Sequence, residues 1–352
     1  MGILDKYAAA PNARADEALY YLGYLYFADL KDNKAAAETF ARLAALPESQ
    51  YREEAGLRLG DARFFAKDYA GAREAYAAFT QAFPASRDVK TALDQIGLTF
   101  AQAKQVAEGV RYFNDMAAAN ATSNTNLAAL ATYEVALLYN QSGDYTKSNE
   151  ACDAFQNSYA DDQFVGPAVM YLMAMNDLGL KKTDRAINNF AGVATLYPES
   201  AEAPEGLLMA AKLYWQANQL EDAIGLCQQV VKSYGNRVRV DGTRPALEAK
   251  DLLVQLAQGI YAPRFDEARK LADAGKFDAA LPGLLEIFSR TAKGSDLNIY
   301  AGYYAAFCYD SLKKFNEAKR IYKETLDRVR QSGQADKFKQ IADSIEKRLK
   351  QI

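Results

Sequence analysis

The chain has 352 residues, half of them hydrophobic and a quarter charged, and its net charge of -3 offers no bulk attraction for nucleic acid or anionic lipid. It contains no histidine, which removes the commonest general base and the commonest metal ligand. Its three cysteines, Cys152, Cys227 and Cys308, lie far apart without a CxxC pair. Neither a zinc site nor a disulfide framework is expected, nor any cofactor. No run approaches the ~18 apolar residues of a membrane span, and Met1-Gly2-Ile3-Leu4-Asp5 lacks the charged and apolar regions of a signal peptide.

In chain order, ILDKYAAAP at 3–11 reads as the end of a helix reaching its terminal proline, which sets up the expectation that the chain begins partway through a longer array. Around Ala72, Tyr69 lies three before, Tyr76 four after and Phe79 three further on, which is one face of a helix. The same order of apolar, small and bulky fits Asn33/Ala36/Phe40, Val106/Gly109/Phe113, Tyr145/Ser148/Cys152, Thr183/Ala186/Phe190, Leu220/Ala223/Cys227, Phe277/Ala280/Leu284 and Phe315/Ala318/Tyr322, with a polar residue opening two of them. The small residues are separated by 36, 37, 39, 38, 37, 57 and 38 positions. Spacing of this kind predicts stacked helical repeats. Each unit carries a second helix upstream, seen in Leu22-Gly23 with Tyr26, Leu59-Gly60 with Phe64 and Ile96-Gly97 with Phe100. Short polar turns at 67–68, 142–144 and 274–276 join the pairs, and Pro47, Pro84 and Pro198 stand near unit ends. No alternating strand pattern survives, so the fold is expected to be all-α.

At these residues the chain resembles the tetratricopeptide repeat family, most closely in LGDARFFAKDYAGAREAYAAFTQAFP, and the likeness covers roughly residues 15–235 and 263–328. It implies a right-handed α-solenoid of about eight repeats. The periods run longer than the family's usual ~34 residues, and the glycine of the tight helix contact becomes Ala136, Ala174, Ala211, Ala268 and Ala306 in later units. ADEALYYLGYLYF at 15–27 and LYPESAEAPEGLLMAAKLYW at 196–215 are further similar to the family's bacterial cell-envelope branch, the outer-membrane assembly lipoproteins and the coordinator of the Tol-Pal system. That similarity implies a periplasmic setting, with the cytoplasm as the alternative.

The 57-residue interval holds NRVRVDGTR and then PALEAKDLLVQLAQGIY, in which Leu247, Leu252, Leu253, Leu256 and Ile260 share one face and Pro245 suits a first turn. A basic loop and an extra helix are expected there, a hinge between blocks. The organisation is therefore six repeats over 1–235, loop and helix over 236–262, and two repeats with a capping helix over 263–352. Arg237, Arg239 and Arg244 suit either contact with an acidic partner or a solvated loop. At the end, Phe338, Ile341, Ile345, Leu349 and Ile352 recur at steps of three and four among charges, the pattern of a capping helix.

No phosphate-binding or dinucleotide motif is present, and the paired carboxylates Glu53-Glu54, Asp161-Asp162 and Glu221-Asp222 point apart or lie in linkers. Cys152 and Cys227 occupy the bulky slot of their repeats, and buried packing accounts for all three cysteines. No enzyme is expected. In the tetratricopeptide arrangement the first helices line a concave groove. Carried over, this makes Tyr20, Tyr24, Phe27, Phe64, Phe65, Tyr133, Asn140, Tyr171, Met175, Trp215, Gln216 and Tyr303 groove candidates, with Asp61, Asp94 and Lys212 as charges among them. Some belong to the core between repeats, and Trp215 in particular fits either place. The family's carboxylate clamp for acidic tails is not matched. The expected function is a scaffold that binds protein segments. A self-associating spacer using the outer face is the alternative, and a small-ligand protein would need a closed pocket.

Overall fold

A computed structural model describes residues 15–352; the expectation for ILDKYAAAP lies outside them. Among the described residues there are seventeen α-helices and no strand. In the first half they are α1 (Ala15–Tyr24, continued by a π-helical turn over Leu25–Asp29), α2 (Asn33–Ala44), α3 (Arg52–Phe65), α4 (Tyr69–Ala82), α5 (Val89–Gln102), α6 (Val106–Asn120), α7 (Thr125–Gln141), α8 (Tyr145–Ser158), α9 (Gly166–Gly179) and α10 (Thr183–Leu196). The rest are α11 (Glu202–Gln216), α12 (Leu220–Ser233), α13 (Pro245–Asp273), α14 (Phe277–Arg290), α15 (Asp296–Ser311), α16 (Phe315–Gln331) and α17 (Lys339–Leu349). The expected all-α solenoid of paired helices is what forms.

The small slot is occupied as the spacing predicts. Ala36, Ala72, Ser148, Ala186, Ala223, Ala280 and Ala318 are each 0% exposed, and Gly109 is buried. Four residues on, Phe40, Tyr76, Phe113, Cys152, Phe190, Cys227, Leu284 and Tyr322 are buried too. The opening slot is looser, with Thr183 and Phe315 exposed. Opposite it, the first helices present small residues. A Cβ on Gly60 would stand 2.3 Å from the Tyr76 ring, so the helix pair closes to a distance that only glycine permits. The alanines that replace this glycine in later repeats, Ala136, Ala174, Ala211, Ala268 and Ala306, are all buried.

Each inter-helix turn carries one left-handed residue five positions before the small slot: Lys31, Lys67, Lys104, Gly143, Lys181, Asn218, Gly275 and Lys313. At Lys67 the following amide, Asp68 N–H, donates to Arg63 O at 2.9 Å, closing the end of the first helix. Asp68 then accepts from Gly71 N–H at 3.0 Å and caps the second helix, as Asp32 and Asp144 do for α2 and α8. The lysine–aspartate turns are therefore a helix stop and a helix start in two residues.

The chain divides into two compact units, one ending at Glu202 and one spanning Ala203–Ile352. The expected block boundary at 235 falls inside the second unit, because α12 packs against α13. The expected extra helix is also not separate: α13 runs 29 residues, through Pro263, and becomes the first helix of the repeat it forms with α14. An internal proline costs a helix about 3 kcal/mol, and the packing of α13 against α12, α14 and α15 offsets it. The buried face of its first half is Ala246, Ala249, Leu252 and Leu256, whereas Leu247 is 54% exposed. The capping helix forms as expected, with Ile345 and Phe338 at 0% exposure and Ile341, Leu349 and Ile352 packed beside the second unit's core.

Leucine at Ala72 or Ala318 has no room and should destabilise by about 1–3 kcal/mol in a denaturant titration. Relieving the left-handed lysine with Lys67→Gly should raise stability by up to about 1 kcal/mol, while Gly143→Ala should lower it by about 1–2 kcal/mol.

Candidate functional site on the first-helix face

The first helices of each unit carry polar and aromatic side chains that meet the corresponding helix of the next repeat. In the first unit, Tyr20 and Tyr24 of α1 both donate their hydroxyls to Glu54 of α3. Tyr24 Oη also accepts from Arg58 Nε at 3.2 Å, Arg58 pairs with Asp61, and Asp61 accepts from Tyr76 Oη at 2.7 Å. Burial, then Glu54, pushes the Tyr24 phenol above its ordinary value, so the chain of contacts holds neutral phenols against carboxylates. Tyr20 also stacks on Tyr51 at 4.3 Å. Further along the same helices, Phe27 meets Phe65 edge-on at 5.7 Å and Phe65 meets Phe64 at 5.6 Å, leaving Phe65 60% exposed.

Three candidates are wholly or partly buried. Tyr133 is buried, and Tyr171 packs edge-on against Phe190 at 5.0 Å. Asn140 donates to Asn176 Oδ1 at 2.7 Å, and Asn176 donates in turn to Ser148 Oγ at 2.8 Å and Asn149 Oδ1 at 3.0 Å. Asp177, wholly buried beside it, accepts from Asn149 and Asn189 and faces Arg185 at 3.5 Å. This network satisfies its buried polar groups and sets how α7, α8 and α9 meet. Met175, on the same helix as Tyr171, is 40% exposed.

Asp94 has a neighbour that the sequence reading missed. Glu134 of α7 is 0% exposed, neither of its oxygens accepts a hydrogen bond, and it fills the space left by Gly97, where a Cβ would lie 2.6 Å from Oε2. Lys90 is held by Asp94 at 2.9 Å. Burial first, and then the Asp94 carboxylate, raise the Glu134 acid well above the usual carboxylate range. Burial and the nearby Asp94 carboxylate thus favour the neutral acid at Glu134.

In the second unit, four charges join three segments. Arg239 of the loop holds Glu205 of α11 through both carboxylate oxygens, at 2.6 and 2.7 Å, and reaches Glu248 of α13 at 2.9 Å; Lys212 of α11 holds the other oxygen of Glu248 at 2.7 Å. Burial alone would raise Glu248, but the two cations bring its acid below the ordinary value. The expectation of an acidic partner thus meets an internal one at Arg239. Arg237 lies over the Tyr234 ring at 5.3 Å, and Arg244 is exposed where α13 begins. Beside this cluster Trp215 and Gln216 of α11 face Asp251, Leu252 and Gln255 of α13 across a cleft of about 470 Å³, with Trp215 39% exposed. The indole is therefore partly open to solvent. Tyr303 of α15 is half-buried against Tyr304 and Tyr322.

The cysteines offer no nucleophile. Burial pushes Cys152 up to about 12 and Cys227 and Cys308 up to about 11, so all three remain thiols at neutral pH. Among the described residues, no three of Cys, Asp and Glu gather as metal ligands, and no helix is long and apolar enough to cross a membrane.

An acid whose pKa is raised by folding stabilises fully below its unfolded value and loses that contribution as pH rises through the folded one. Melting temperature should therefore fall as pH climbs from the ordinary carboxylate range through the raised Glu134 value. Glu134→Gln, which cannot titrate, should remove that part of the slope. Parallel pH–melting curves for the two proteins would contradict the protonated state.

The tetratricopeptide repeat family model matches residues 17–49, 54–86, 168–200, 205–237 and 300–332. The repeats it omits, around Gly109, Ser148 and Ala280, have the same helix pair and the same left-handed turn. No curated protein matches the sequence. Among solved structures, the chain is similar to BtubC (BKLC) from P. vanneervenii, at 12% identity over 66% of this chain and 92% of that one, TM-score 0.37. It is similar also to a tetratricopeptide repeat protein from Parabacteroides merdae, at 12% identity over 84% and 98%, TM-score 0.32. A Rap protein complexed with competence and sporulation factor matches at 13% identity over 99% and 90%, TM-score 0.39. With five repeats matched in sequence and the intervening units built alike, the chain is a tetratricopeptide repeat protein.

Proposed function

We propose that this protein is a non-enzymatic scaffold that holds segments of partner proteins along the first-helix face, in a groove rich in aromatic side chains. One observation carries the reading. Of the exposed large apolar side chains that lie within helices, Tyr21, Phe65, Met175, Trp215, Leu247, Val254, Tyr300 and Phe307 sit on first helices, and only Leu196 and Phe315 sit on second helices. Water-exposed apolar surface concentrated on one kind of helix marks a binding face, because a solenoid without a ligand there has every reason to place charge instead. Such side chains supply affinity, while the repeat-spaced polar groups beside them fix register. The linker wording at 15–27 and 196–215 supports a bacterial cell-envelope complex as the setting, which fractionation of the source cell would check.

Photo-cross-linking in the source cell tests the face. A benzophenone side chain at Phe65 or Met175 should capture a discrete partner, and the same group at Glu74 or Glu317 on second helices should not. Capture from second helices alone, or light scattering that shows the chain assembling only with itself, would overturn the scaffold in favour of a self-associating spacer.

A further inference from the structure

We infer that the cleft between α11 and α13 is a subsite for a single cationic side chain, lysine or arginine, of a bound peptide, with its stem on Trp215 and its charge at Asp251. This rests on the groove reading above and adds a ligand chemistry to it.

The inference follows from which charges near the cleft are already used. Lys212 and Arg239 are the cations at its margin, and both are committed: Lys212 to Glu248 at 2.7 Å, and Arg239 to Glu205 at 2.6 Å and to Glu248 at 2.9 Å. Those four charges cancel. Glu248, with both oxygens engaged by these cations, is no longer a free acceptor for a ligand. Asp251 differs. It lines the cleft, it is exposed, and none of its helical neighbours three and four residues away, Leu247, Glu248, Val254 and Gln255, is a cation that could neutralise it. One uncompensated carboxylate therefore faces the cleft.

The opposite wall is the only tryptophan in the chain, 39% exposed. An indole face attracts a cation and lies flat against the methylene stem that carries it. Leu252 is 5% exposed and supplies an apolar floor, while Gln216 and Gln255 can donate to or accept from a peptide backbone. An apolar ligand would use the indole and leave Asp251 desolvated without a partner, and an acidic one would be repelled by it. A cationic side chain satisfies both walls. The cleft has one aromatic wall and opens to solvent beside Gln216, which suits a side chain entering from an extended peptide.

Trp215 is its own reporter. Four nonapeptide probes of alternating glycine, serine and test residue, with lysine, arginine, norleucine or glutamate as the test residue, would be titrated against the full chain at 0.15 M salt. The lysine and arginine probes should shift Trp215 emission saturably, and Asp251→Asn should weaken them at least tenfold with the melting temperature unchanged. Asp251→Lys should reverse the preference toward the glutamate probe. Norleucine binding as tightly as lysine, or Asp251→Asn without effect, would overturn the cationic subsite while leaving the groove intact. No emission change with any probe would overturn it too, and cross-linking at Phe65 and Met175 would then show separately whether the groove reading stands.

Discussion

The close approach of a small residue on one helix to a bulky residue on its partner is the contact on which this protein is built. At Gly60 and Tyr76 the helices come near enough that a methyl group would collide with the ring. The eight small slots and eight bulky slots are buried almost without exception. Because each repeat packs only on its neighbours, no single central core exists to compensate for a badly fitted pair. The constraint is local and recurs eight times, which is why it leaves a period in the sequence.

The same spacing governs the polar contacts. Tyr20 reaches Glu54 and Tyr24 reaches Arg58 at a separation of 34 residues, and Asn140 reaches Asn176 and Lys212 reaches Glu248 at 36. Residues one repeat apart occupy equivalent places on adjacent first helices, so complementary chemistry at that interval becomes a hydrogen bond or an ion pair. These contacts draw polar groups into pairs and leave Phe65, Met175 and Trp215 open between them.

The turn between helices shows how little sequence a repeat needs. Five residues before every small slot the backbone enters the left-handed region, where glycine stands at two positions and asparagine or lysine at the others. Lysine has no special tolerance for that conformation, but its ammonium stays in water, and after Lys31 and Lys67 the following aspartate caps the next helix. A modest local cost is offset by ending one helix and starting another within three residues, as between Phe65 and Tyr69.

The sequence by itself determined the all-α class, the eight repeats, the small and bulky slots and the capping helix, because each follows from a local period and helical packing turns such periods directly into contacts. It did not reveal that α13 runs unbroken through Pro263, since a proline reads locally as a stop and only packing against three other helices carries the helix through it. Nor did it separate the groove candidates. Tyr133 is a tyrosine on a first helix like Tyr21 and Tyr300, and burial alone divides it from them. Arg239 looked available in a basic loop until the fold brought Glu205 and Glu248 to it, and Glu134, which no sequence pattern singled out, is buried where Gly97 leaves room for it. Tertiary structure decided these cases because the availability of a charge depends on what lies one repeat away in space, and a linear pattern records only that a partner of the right kind exists.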